Sequence, residues 1–256
     1  MPAGDVPVGG YGLLVFIMPW KRPAIPSNWL PVLDRHGMIC VMAMGSGNSA
    51  NIFSRRIPLA LSGYENVKRH YTVDPDRVYI GGLSGGSRIA LRIALAFPDV
   101  FHGALLNAGS DSFGTDVLSP PDPTLFRQFE ERSRLIYATG SEDDTNLVID
   151  SHSRDSARAL CIFDLHTLTM NGRGHRLVNP TILEHALAAL MLPRKPDADL
   201  DSCRDHRAQE ISAELDKVEQ LIASGNTREA SKQLQGVDVR FGGLAAPRSI
   251  ELAHQL

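Results

Sequence analysis

The sequence predicts an α/β fold, with an open, mostly parallel β-sheet flanked by helices and a small helical hairpin at the C-terminus. Strand-sized apolar runs alternate along the chain with longer amphipathic segments, which is the pattern of βαβ units. The strand-sized runs are continuously apolar, as in parallel strands that helices cover on both faces. After Leu192 the alternation gives way to a polar stretch that contains proline.

Each predicted strand is a short apolar run bounded by glycine, proline or polar residues. The predicted strands are residues 11–18, 37–44, 77–82, 102–109, 133–140 and 161–170. The segments between them have helical apolar spacing, and the predicted helices are residues 28–36, 57–71, 87–97, 146–160 and 180–192. Asn179 as N-cap and Pro180 as first helical residue mark the start of the last of these helices.

The chain divides at the polar stretch. Residues 1–192 form the predicted main domain, 193–207 a linker and 208–256 a C-terminal helical tail. Within the tail, residues 208–224 and 227–237 each carry an apolar stripe, and a third helix is expected near the end. Two interpretations stay open: the tail packs on the main domain, or it docks a partner protein.

Composition limits the function classes. A formal net charge of −3 gives no electrostatic reason to expect nucleic acid or an anionic membrane as partner. The longest apolar run, residues 11–20, is too short to span a bilayer. The first ten residues lack a basic region followed by an apolar one, so no signal peptide is visible. The compartment stays open: cytoplasmic, or exported if a longer protein precedes this start.

The cysteines predict neither a disulfide framework nor a zinc site, because Cys40, Cys161 and Cys203 are odd in number and far apart. Cys40 and Cys161 lie in apolar, strand-like runs. We therefore expect both to be buried, reduced thiols.

A glycine-rich motif falls between a predicted strand and a predicted helix. Residues 82–86, Gly-Leu-Ser-Gly-Gly, fit the G-x-S-x-G pattern of a nucleophile elbow. Ser84 would occupy a strained turn, in which side chains at Gly82 and Gly86 would collide. The following helix would direct its N-terminal amides at the place where negative charge develops. The alternative is that the glycines only make a tight strand-to-helix turn.

A serine nucleophile requires a base, and the base requires an orienting acid. The loop after the strand 133–140 offers Glu142, Asp143 and Asp144, of which we favour Asp143. The loop after the strand 161–170 offers His175. The order serine, acid, histidine matches that of elbow-bearing hydrolases. A solvated acidic turn is the alternative for the acids.

An oxyanion hole requires two N–H donors, one from the residue after the nucleophile and one from the loop after the first strand. These criteria indicate Gly85 and Trp20, because Pro19 has no N–H. The alternative for Trp20 is that it packs against the elbow.

These motifs resemble the α/β-hydrolase superfamily, and within it the poly(3-hydroxybutyrate) depolymerase-like and feruloyl-esterase-like serine esterases. There is also some similarity to prolyl-oligopeptidase-type domains. The resemblance covers about residues 11–192 and is carried by the elbow region, with its lead-in Asp74-Pro75-Asp76-Arg77-Val78-Tyr79 and its end Phe97-Pro98-Asp99-Val100-Phe101. It implies Ser84 as nucleophile, Asp143 as acid and His175 as base. Met18-Pro19 stands where such enzymes usually carry His-Gly.

The expected function is a serine carboxylesterase that forms an acyl-enzyme with a small or polymeric ester and requires no metal or organic cofactor. A prolyl-oligopeptidase-like peptidase and a non-catalytic module that binds a partner through its helical tail are the alternatives. Residues 110–132 are short for a full lid and contain three prolines, so we expect an open site.

Overall fold

The strands of the computed structural model form one parallel sheet, as the sequence predicts. The structure describes residues 2, 6–195 and 197–256. Within these residues six strands pair in the order β2-β1-β3-β4-β5-β6, and every adjacent pair is parallel. The strands are β1 Tyr11–Ile17, β2 Met38–Val41, β3 Val73–Leu83, β4 Gly103–Asn107, β5 Arg134–Gly140 and β6 Leu165–Met170.

Helices follow or connect these strands. They are α1 Leu30–Arg35, α2 Ile57–His70, α3 Gly85–Ala96, α4 Pro123–Arg132, α5 Asp144–Ala159, α6 Pro180–Leu190, α7 Leu200–Ala223, α8 Thr227–Phe241 and α9 Arg248–Ala253. The predicted start of α6 is confirmed, because the Asn179 side chain accepts the Ile182 N–H at 2.9 Å and Pro180 is the first helical residue.

Strand β3 begins four residues earlier than predicted. Its pairing with β1 is irregular, since Tyr11 lies opposite Val73 while Leu13 lies opposite Val78. Pro75 lies in this irregular part, where its missing N–H removes no regular ladder bond. Proline is rare inside central strands, so residues 73–76 do not have the pattern of a strand.

The sheet is covered on both faces. Alternate residues of each central strand point to opposite sides, so that Val15 and Ile80 join one buried cluster while Phe16 and Tyr79 join the other. Helix α3 packs on the first face, and α1 and α6 pack on the second. This two-sided burial explains why the strands are apolar throughout.

The C-terminal helices pack on the main domain. The predicted stripes of α7 and α8 are buried in the same cluster as Phe126, Phe129 and Leu160. Glu130 on α4, whose side chain is 1% exposed, pairs with Arg204 at 2.7 Å and Arg207 at 2.5 Å. These contacts correspond to the first interpretation of the tail. A docking role for its outer faces remains a prediction.

Helix α7 starts at Leu200, eight residues before the predicted start and inside the predicted linker 193–207. Residues 200–207 are mostly polar and have no continuous apolar stripe. Their helix is held by partners distant in sequence, chiefly Glu130, which periodicity does not detect. Pro196 in the linker lies outside the described residues, and so do residues 1, 3, 4 and 5 of the segment assessed for a signal peptide.

The prediction that the cysteines form no disulfide is wrong for Cys161 and Cys203, whereas Cys40 is free as expected. Cys161 and Cys203 form a disulfide, with their Cα atoms 5.8 Å apart, which joins the turn after α5 to α7. Cys161 has a φ of 66° and lies in that turn, whereas the sequence places it in the last strand. Cys40 is the free cysteine, and burial raises the pKa of its thiol to about 12. It therefore stays protonated and unreactive near neutral pH.

No helix in the described part of the chain is both long enough and apolar enough to cross a membrane.

We predict that removing the disulfide with Cys203→Ser lowers the free energy of unfolding by about 2 to 4 kcal/mol, because the bond closes a long loop. The two cysteines are 42 residues apart. Urea unfolding of oxidised protein measures the change, with Cys40→Ala as a control that keeps the disulfide. Alkylation of the denatured, unreduced chain should modify one thiol, whereas three modified thiols would contradict the pairing.

Candidate active site

Ser84 lies at the turn from β3 into α3 with φ 57° and ψ −121°. Non-glycine residues rarely adopt this region, and the conformation persists only where neighbouring contacts enforce it. The Ser84 N–H donates to the Asn107 carbonyl at 2.8 Å, which ties the turn to the end of β4. The backbone therefore has the strained form that a nucleophile elbow requires.

The glycines on either side of Ser84 are sterically required. A Cβ at Gly82 would lie 2.3 Å from the carbonyl carbon of Gly86. A Cβ at Gly86 would lie 1.9 Å from the carbonyl oxygen of Ile17, at the end of β1. The predicted collision is thus present at both positions, and the absence of side chains lets β1, β3 and α3 approach closely.

His175 and Asp143 meet at the carboxyl edge of the sheet. The Nδ1 atom of His175 lies 2.7 Å from Oδ2 of Asp143. An ionised carboxylate can only accept, so Nδ1 donates and Nε2 is left with its lone pair. The Asp143 side chain is 7% exposed and that of His175 is 45% exposed. Of the other two acids considered, Asp144 is the exposed first residue of α5 and Glu142 is also exposed.

Asn107 connects the serine turn to the histidine loop. Its carbonyl accepts the Ser84 N–H, and its buried side chain donates to the Arg176 carbonyl at 3.1 Å and accepts from the Val178 N–H at 2.9 Å. The same side chain also donates to the Ala138 carbonyl at 2.9 Å. Asn107, at the end of β4, therefore holds the Ser84 turn and the backbone of Arg176 and Val178, which follow His175.

The acid loop and the histidine loop also touch directly. The Glu142 N–H donates to the Arg173 carbonyl at 2.8 Å, and the Ser141 hydroxyl accepts from the Gly172 N–H at 2.9 Å. A Cβ at Gly140 would lie 2.1 Å from the Arg173 carbonyl oxygen. Gly140 is therefore required for this close approach, which sets the position of His175 against Asp143.

A second buried acid, Asp150, lies near the end of β5. Asp150, on α5, accepts a hydrogen bond from the Thr139 hydroxyl at 2.5 Å. Burial raises the pKa of its carboxyl, with the Thr139 hydrogen bond acting in the opposite direction. Asp150 thus links α5 to the end of β5 without contacting the imidazole.

Gly85 and Trp20, predicted as oxyanion donors, lie on the two segments that border Ser84. Gly85 is the first residue of α3, and Trp20 follows β1 with its side chain about half exposed. Asn48 lies between these segments: its N–H donates to the Pro19 carbonyl at 2.8 Å, and a Cβ at Gly85 would meet its Oδ1 at 2.4 Å. Sequence reasoning missed Asn48, for which the only signal is the Gly-Ser-Gly-Asn-Ser run after β2.

The segment 110–132 does not extend over this edge as a free lid. Ser119 donates to the carbonyls of Asp238 and Val239 at 3.1 Å, so the segment is held by α8. His175 and Trp20 remain about half exposed, in agreement with the expected open site. Within residues 2, 6–195 and 197–256, no group of three His, Cys, Asp or Glu side chains could hold a metal ion.

Comparison with known proteins identifies two relatives by sequence. The chain is 27% identical over 96 residues to a poly(3-hydroxybutyrate) depolymerase from Ralstonia pickettii, and 44% identical over 45 residues to poly(3-hydroxyalkanoate) depolymerase C from Paucimonas lemoignei. These segments are 32% and 18% of this chain, and they span only 20% and 11% of the relatives' own lengths. No family model matches the chain.

Among solved structures, the fluorophosphonate-binding serine hydrolase F of Staphylococcus aureus, with bound substrate, aligns with a TM-score of 0.55. The alignment covers 74% of this chain and 87% of that chain at 13% identity, a level at which the similarity concerns the fold. The chain therefore has the α/β-hydrolase fold, and the resemblance to poly(3-hydroxybutyrate) depolymerases seen in the motifs is confirmed.

We predict that Asn107→Leu lowers the free energy of unfolding by about 3 kcal/mol or more, because buried backbone groups lose their partners. Urea unfolding measures the loss, with the exposed Asn66→Leu as control. Amides 174–178 should also exchange faster with deuterium in the folded variant. Parental stability together with parental exchange would contradict the role of Asn107 as the anchor of this loop.

Proposed function

We propose that the protein is a serine hydrolase that cleaves carboxylic esters through an acyl-enzyme. The observation that supports this proposal is that Asn107 bonds both to the strained elbow serine and to the loop that follows His175, whose imidazole is paired with Asp143. An elbow serine with a histidine base and a buried orienting acid is the arrangement that activates a hydroxyl for acyl transfer.

In the proposed mechanism, the Ser84 hydroxyl oxygen attacks the ester carbonyl while His175 Nε2 takes its proton. Asp143 holds the imidazole through Nδ1 and stabilises the imidazolium that forms. Collapse of the tetrahedral intermediate breaks the ester bond, and the imidazolium returns the proton to the departing alcohol. Water then attacks the acyl-enzyme with His175 again acting as base, which releases the acid and restores Ser84.

The oxyanion of each tetrahedral intermediate requires donors aimed at it. We assign these to the backbone N–H groups of Gly85 and Trp20, with the N-terminal end of α3 adding its positive dipole. Gly85 follows the nucleophile directly, so its amide is adjacent to the reaction centre by chain connectivity. No metal or organic cofactor enters any of these steps.

The substrate class proposed is a small or polymeric ester. The matched relatives are depolymerases by name, and the half-exposed imidazole favours substrates that need not enter a deep cavity. An ester is favoured over a peptide because an alkoxide leaves with less assistance than an amine.

We predict that Ser84→Ala and His175→Ala each lower kcat for p-nitrophenyl esters by about 10⁴-fold or more, with little further loss when combined, because the residues act as a unit. Asp143→Asn should cost a loss of about 10⁴-fold, since the amide selects the wrong imidazole tautomer. The matched control is Asp144→Asn, the same change one residue along, which should retain parental kcat. A parental rate in Ser84→Ala, or a larger loss in Asp144→Asn than in Asp143→Asn, would contradict the assignment.

A further inference from the structure

We propose that Asn146 is a positioning residue for the His175–Asp143 pair, and that it holds the Asp143 carboxylate toward the imidazole and away from its own helix. This inference rests on the proposed ester hydrolysis for its catalytic consequence. The orientation of the His175 imidazole by the Asp143 carboxylate can be measured without any substrate.

The amide nitrogen of Asn146 lies against both oxygens of the carboxylate. The Nδ2 atom is 2.8 Å from Oδ1 and 2.9 Å from Oδ2 of Asp143. The reverse orientation of the amide would set its oxygen against both carboxylate oxygens, which would leave three acceptors to share the single Nδ1 proton of His175. Asn146 therefore donates, and a hydrogen bond to an ionised acceptor is among the stronger kinds.

The same nitrogen approaches the imidazole but does not compete for it. The Asn146 Nδ2 atom is 3.0 Å from Nδ1 of His175, which itself donates to Asp143 Oδ2 at 2.7 Å. Two N–H donors thus converge on one carboxylate. Because Asn146 holds the Asp143 carboxylate, the Nδ1 proton of His175 always has Oδ2 of Asp143 as its acceptor. Nε2 is then left as the basic nitrogen.

The need for this donor follows from the position of Asp143 at the start of α5. An aspartate at the N-cap usually accepts backbone N–H groups of the first turn. Asp122 does this at the start of α4, where it accepts from Thr124 at 2.9 Å and Leu125 at 3.2 Å. Asp143 is the N-cap of α5, yet its carboxylate is turned to His175 and Asn146. The Asn146 side chain supplies the donor that the helix backbone supplies at Asp122.

The oxygen of the Asn146 amide lies in space that a glycine leaves open. A Cβ at Gly109 would lie 2.5 Å from Asn146 Oδ1, and Gly109 has a φ of 111°, which suits glycine. The Asn146 oxygen therefore lies close to the loop after β4, while its nitrogen faces the carboxylate. A side chain at position 109 would occupy the place of the amide oxygen.

The first test compares Asn146→Ala and Asn146→Asp with the parent chain. In Asn146→Ala the Asp143 carboxylate is free to turn back and cap α5. We expect kcat to fall about 10- to 100-fold, because one hydrogen bond to a charged group is lost. KM should change little. The melting temperature should equal or exceed that of the parent. A purely structural residue would lower both quantities together.

The variant Asn146→Asp tests whether the size of the side chain or its N–H donor is what matters. The side chain keeps its size, but a second carboxyl group replaces the amide donor less than 3 Å from the first, where two negative charges repel. We expect a loss of kcat at least as large as in Asn146→Ala. Asn66→Ala, an exposed asparagine on α2, is the control for loss of an amide and should retain parental kcat.

The second test reads the imidazole directly. Long-range ¹H–¹⁵N spectra of the parent should show His175 as the neutral tautomer protonated at Nδ1, assigned by comparison with His175→Ala. In Asn146→Ala this tautomer should mix with the one protonated at Nε2. If the parent hydrolyses no ester but the tautomer still depends on Asn146, the proposed function fails and the positioning role stands. An unchanged tautomer in Asn146→Ala, parental kcat, or a kcat that falls only with the melting temperature would overturn the proposal.

Discussion

The left-handed backbone of Ser84 is the constraint on which the carboxyl edge of the sheet depends. A strained residue of this kind costs about 1 to 3 kcal/mol and must be held by its neighbours. Here β4 holds it through the Asn107 carbonyl, and Gly82 and Gly86 let β1 and α3 close around it. Because the Asn107 side chain binds the histidine loop, the serine turn and the base cannot shift independently.

The stability that supports this edge comes from elsewhere in the molecule. Two apolar clusters cover the sheet, and the C-terminal helices extend the cluster on the α3 face. The disulfide and the Glu130 ion pairs bind α7 to the main domain. Removing the chain after Leu192 would therefore uncover core residues, so a docking role for the tail is better tested on its exposed faces than by deletion.

The strands, the elbow and the order of Ser84, Asp143 and His175 could be predicted because each has a local signature: apolar runs, glycine spacing and position after a strand. The roles of Asn107, Asn48 and Asn146 could not, because a lone asparagine at a strand end or in a first helical turn has no distinctive pattern. The disulfide and the start of α7 could not be predicted either, for a different reason. Their partners lie more than 40 residues away along the chain, where local periodicity carries no information.

The most direct test of the central claim, an activated nucleophile at Ser84, is the intact mass of the protein after reaction with a fluorophosphonate. The account predicts one adduct on the parent chain, mapped to the peptide that contains Ser84, and none on a folded Ser84→Ala variant. No adduct on the folded parent, or an adduct that persists in Ser84→Ala, would contradict it. The absence of an adduct on the folded parent would make the non-catalytic binding module the leading interpretation, whereas a persistent adduct would place the reactive nucleophile elsewhere.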